Sequence, residues 1–164
     1  GDFVEVAQFL HHELAHLLIP YQGSGDAWFS EGLASYYQNI LQARAGLISE
    51  REMWQRLYEG FQRGLAETRF DGQPLHSVSD GLREDGGFMR VYWSGAWYFL
   101  AADARLRLQS GGRLSLDQAL ANQQQEILLL RRQLELLHER QRDAYSSAHG
   151  DAPAPPVDEK PPHY

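Results

Sequence analysis

The sequence predicts an all-α fold. Apolar residues recur at three- and four-residue spacing through most of the chain, serine caps and glycine stops bracket those runs, and no stretch alternates convincingly as a strand would. The first run, Phe3 to Ile19, puts Phe3, Val6, Ala7, Leu10, Leu14, Leu17 and Leu18 at helical spacing and is closed by Pro20 and Gly23-Ser24-Gly25. A second helix is expected from Asp26 to Arg44, with Phe29, Leu33, Tyr36, Tyr37 and Ile40 forming its core stripe. Ser49 and Glu52 make a capping box ahead of a third helix that carries Met53, Leu57, Phe61 and Leu65. Residues 71–87, with Asp71, Pro74, Asp80 and Asp85 among glycines, read as an irregular loop. A fourth helix starts at Phe88, runs to Leu108 and stops at Gly111-Gly112, and Ser115 caps a fifth.

The fifth helix differs from the body. Leu116, Leu120, Gln123, Ile127, Leu130, Leu134 and Leu137 follow alternating steps of four and three, a heptad pattern, in a segment that turns to Gln, Leu, Glu and Arg after Gln123. It is either a terminal helix laying one stripe on the core or a short coiled coil, which makes 115–142 a candidate for self-association. From Ser146 the chain holds five of its seven prolines and almost nothing apolar, so 146–164 is expected to be a disordered tail. The expected organisation is a helical body over 1–121, a heptad-like helix over 122–145 and that tail.

Composition narrows the chemistry. With 22 acidic against 15 basic residues the net charge is −7, which argues against nucleic acid as the main partner. There is no cysteine, so a metal must sit on histidine and carboxylate. No apolar run approaches the roughly 18 residues of a membrane span, and no signal peptide is visible. The chain begins with Gly1 rather than methionine, so its natural start is expected to be missing and the compartment is left open.

His12-Glu13-Leu14-Ala15-His16 is an H-E-x-x-H pattern on a predicted helix. Residues four apart share one helix face, so both imidazoles can reach one ion. At about 100° per residue the histidines fall opposite the Phe3–Leu10–Leu17 stripe, which is expected to face the core. Glu13 lies beside them, free of the ion. The second helix opens with Trp28-Phe29-Ser30-Glu31-Gly32, and an antiparallel return brings Glu31 to face the histidines. Alone, Glu31 also suits a first-turn acid complementing the helix dipole. Two His and one Glu with a fourth position left to water is a catalytic rather than a structural zinc set. Asp26, Asp103 and backbone carbonyls are candidates to orient the outer ring nitrogens.

These segments resemble the zinc core of the gluzincin metallopeptidases, most closely the glycyl aminopeptidase family and more distantly the aminopeptidase N family. His12-Glu13-Leu14-Ala15-His16 and Trp28 through Tyr37 carry the likeness. Val91-Tyr92-Trp93-Ser94-Gly95-Ala96, Asp103 to Arg107 and Gly111 to Asp117 extend it, with Ser94 standing where those enzymes have lysine. The resemblance implies one Zn2+ per chain held by His12, His16 and Glu31, Glu13 as general base, Tyr92 as hydrogen-bond donor to the oxyanion, and peptides as substrate. The chain is then the helical catalytic half of an aminopeptidase without the sheet subdomain that precedes it in the relatives. The alternatives are a weakly active or inactive metal-binding scaffold, and a helical oligomerisation module.

Overall fold

The computed structural model describes residues 2–19 and 23–149, with side chains described for 5–19, 23 and 25–147. Among the described residues the chain is helical and has no strand: α1 (Asp2–Ala15), α2 (Ala27–Arg44), α3 (Glu50–Ala66), α4 (Leu75–Asp80), α5 (Leu82–Asp85), α6 (Phe88–Ser110) and α7 (Leu116–His149). The all-α expectation holds. The chain divides into two compact units, one through Gln124 and the other from Gln125 on. Among its described residues the second unit contains only the continuation of α7. That helix runs to His149, four residues into the stretch read as a tail; 150–164 lie outside the described residues.

In the first unit α2 is the central helix, packed against α1 on one side and α6 on another, with α3 lying along α6. Leu33, Tyr36, Tyr37, Leu57, Trp93, Ala96 and Phe99 form the main core. Leu33 and Leu57 are fully buried, and each contributes about 1.5–3 kcal/mol of apolar transfer. The capping signals act largely as expected. Ser49 Oγ accepts from Glu52 N–H at 3.2 Å, and the first-turn Glu50 and Glu52 suit the positive end of α3. Gly111 closes α6 in the left-handed region (φ 62°), and Gly112 N–H donates to Arg107 C=O at 2.7 Å. At the start of α7 the Ser115 bond is long, 3.5 Å, and Asp103 of α6 does more, accepting from Leu116 N–H at 2.7 Å.

Two expectations fail here. Residues 71–87 are not an irregular loop but hold α4 and α5. Val78 and Leu82, four residues apart, close a second small core with Phe70 and Val91, so tertiary burial stabilises two short helices that local composition disfavours. Ser79 of α4 also caps α2, its Oγ accepting from Trp28 N–H at 3.1 Å.

The first helix is also turned the other way. The inward residues of α1 and the turn that follows it are Ala7, Ala15 and Ile19, whereas Val6, Phe9, Leu10, Leu14 and Leu17 are exposed, Leu17 to 74%. Val6, Leu10, Leu14 and Leu17 of the expected stripe therefore point outward, while Ala7 and Leu18 turn in, and the helix rests on α2 with its histidine face. Packing both faces on α2 at once is impossible because they lie on opposite sides of the same cylinder. The small side chains of Ala7 and Ala15 let α1 approach closely enough for the imidazoles to reach across.

Candidate metal centre

His12 sits in the last turn of α1; the α-helix stops at Ala15 and the chain tightens into a 3-10 turn over His16–Leu18. His16 thus leaves from that turn rather than from the regular helix predicted through Ile19, yet remains on the same face as His12. The two rings meet edge to face with centroids 5.0 Å apart. Glu31 comes from the second turn of α2. Its Oε2 lies 3.1 Å from His12 Nε2 and 3.6 Å from His16 Nε2. One ligand atom from each of the three residues falls within 4.8 Å of the others.

The close pairing of α2 and α6 brings a fourth group to this place. Gly32, next to Glu31, lies against Gly95 so tightly that a Cβ on Gly32 would meet Gly95 Cα at 2.5 Å and Gly95 C at 2.6 Å. A Cβ on Gly95 would run into Trp28 O. With no side chains between them, the two backbones touch, and Tyr92, three residues before Gly95, is carried to the site. Its ring stacks on His12 with centroids 6.1 Å apart, and its hydroxyl acts on the Glu31 carboxylate.

The donor set fits a zinc ion. Two ligands at the usual 2.0–2.1 Å from a tetrahedral zinc lie roughly 3.3 Å apart, between the two nitrogen–oxygen separations found here. Protonation gives a second argument. Gln38 Oε1 lies 3.0 Å from His12 Nδ1. An amide oxygen only accepts, so Nδ1 carries the hydrogen and a neutral His12 turns a bare Nε2 lone pair on Glu31. Lone pair and carboxylate at 3.1 Å repel each other unless a proton or a cation lies between them.

The titration directions agree with this picture. Burial alone pushes the His12 imidazole down, but the hydrogen bond and charge of Glu31, with Gln38, outweigh it and hold the ring above its ordinary value. Burial pushes Glu31 up, and His12, His16 and Tyr92 together reverse that, so its carboxyl sits below the usual range. Burial, followed by the charge and hydrogen bond of Glu31, pushes the Tyr92 hydroxyl up to about 12.

Of the predicted site residues, His12, His16, Glu31 and Tyr92 come together. Glu13 is exposed on α1, and its charge reaches both His12 and Tyr92. Neither acid suggested for orienting the ring nitrogens does so for His12. Asp103 instead accepts from Tyr36, Arg107 and Leu116 N–H, and the orienting group on His12 is Gln38. A signal for it exists in the sequence: Gln38 follows Glu31 by seven residues, two helical turns along the same face.

Residues 21–98 match the family model of the M61 glycyl aminopeptidases. The matched segment includes Glu31, Gln38 and Tyr92 but begins after both histidines, and it supports a relationship to a peptidase family. Residues 114–164 match the SlyX family model. No curated protein and no solved structure matches the chain.

Proposed function

We propose that this chain is the core of a zinc-dependent peptidase of aminopeptidase type, with His12, His16 and Glu31 as the metal ligands. The observation that carries the reading is the convergence of those three side chains from α1, the 3-10 turn that follows it and α2; the M61 match supports the peptidase class. Zinc bound there supplies Lewis acidity, lowering the pKa of a coordinated water and polarising the scissile carbonyl.

The protein's own groups do the rest. Gln38 fixes the His12 tautomer, so that the ring offers Nε2 toward Glu31. Glu13, one residue from His12 and outside the ligand set, is free to take a proton from a water attacking the carbonyl and return it to the departing amine. Tyr92 keeps its proton across the neutral range, because its hydroxyl is pushed up to about 12. It therefore remains a donor for the carbonyl oxygen as negative charge grows there.

Metal analysis and peptide turnover test the proposal together. The chain should bind about one zinc, and His12→Ala should lose it. Glu13→Gln should retain the metal while turnover falls by about 10²–10⁴-fold. Wild-type turnover in Glu13→Gln would end the proton-transfer assignment. A chain without affinity for zinc would end the whole reading, and stoichiometric zinc with no cleavage across a broad peptide library would identify a binding scaffold instead.

A further inference from the structure

We propose that α7 beyond Gln124 forms a parallel, two-stranded coiled coil with the same segment of a second copy of this chain. The face it uses is set within the first unit. Leu116 and Leu120 are buried in the core, and the same steps of four and three continue the stripe through Gln123, Ile127, Leu130, Leu134 and Leu137. Leu130, Leu134 and Leu137 are 53–57% exposed. The second unit holds no other element among its described residues that covers them. A helix in water draws most of its stability from packing an apolar face, and a contiguous exposed row of this kind marks an interface.

The sequence also specifies the partner. In heptad terms Leu120, Ile127 and Leu134 occupy position a, and Leu116, Leu130 and Leu137 position d, with Gln123 at d and Gln141 at a marking the two ends. Ile127, β-branched at a, followed by Leu130 at d is the combination that favours two strands, and a polar core residue fixes register when it meets its own copy. In a parallel pair Glu126, at position g, lies beside the partner's Arg131, at position e, and the symmetric contact repeats on the other side. The next flanking pair, Gln133 with the partner's His138, brings no like charges together at neutral pH. An antiparallel pair over the same apolar layers instead sets Arg131 against the partner's Arg131. Charge therefore selects the parallel arrangement.

The test reads mass and cross-linking rather than turnover, so it is independent of the zinc assignment. Sedimentation equilibrium of the full chain across the micromolar range should give twice the chain mass. Leu134→Glu should halve that mass. Leu128→Glu, on an outward position of the same helix, should leave it unchanged and so separates loss of the interface from loss of the helix. The chain has no cysteine, so Leu130→Cys introduces a single thiol, which should oxidise to a disulfide-linked dimer. A monomeric wild-type chain, a mass of three or more chains, or a dimer indifferent to Leu134→Glu overturns the proposal. A dimer that Leu130→Cys fails to cross-link overturns the parallel register.

Discussion

At the scale of single residues, Gln38 decides which nitrogen of His12 is available. It is nearly fully buried, and its Oε1 accepts from His12 Nδ1 at 3.0 Å. Replacing it with leucine removes the acceptor at similar volume and leaves the ring free to turn. Gln38→Leu should weaken zinc binding about 10–100-fold in competition with a chelator, and the His12 ring nitrogens should lose their single tautomeric signature in nitrogen NMR. Unchanged affinity would mean that Glu31 alone orients the ring. The three candidate ligands are legible because helical spacing converts directly into shared faces. Gln38 is harder to read from sequence, because a neutral amide two turns beyond Glu31 carries no charge and resembles any other polar residue of a helix.

Between elements, the Gly32–Gly95 contact sets how α2 and α6 cross. Alanine ordinarily stabilises a helix interior relative to glycine by about 1 kcal/mol. At Gly32 the sign should reverse, because the added Cβ meets backbone atoms that cannot swing aside. Gly32→Ala should lower stability by about 1–3 kcal/mol, measured by denaturant unfolding; a stabilised variant would show that the helices separate freely. The docking of α7 has its own signature. Burial alone raises the Asp117 carboxyl, but Arg44 and Tyr37 outweigh burial and hold it below its ordinary value. A depressed carboxylate contributes stability that is present above its unfolded pKa and is lost as pH falls through the folded one. Asp117→Asn should therefore flatten the acid limb of the stability profile below about pH 4 and lower stability at neutral pH. An unchanged acid limb would show that the pair carries no linkage. Helices α2, α3 and α6 were legible from periodicity and caps. The short helices α4 and α5 were not, since Val78 and Leu82 gain order only from distant partners, Phe70 and Val91.

For the whole molecule, sequence pattern yields the fold class but misassigns a face. By the ordinary rule that apolar rows turn inward the row of α1 belongs in the core, yet its Val6, Leu10, Leu14 and Leu17 are exposed while Ala15, beside the histidines, is fully buried. Hydrophobic pattern alone cannot tell which side of a helix its neighbour occupies when the other side carries paired histidines. The heptad row of α7 has the opposite history, since Leu116 and Leu120 enter the core as a terminal helix would and the remainder keeps the spacing of a coiled coil. One last consequence follows from the bare crossing of the second and sixth helices. Because main chain rests on main chain there, the gap between the Glu31 oxygen and the phenol of Tyr92 is gauged by a hard stop rather than by compressible side chains. Sequence drift elsewhere along those two rods should erode stability well before it loosens that spacing.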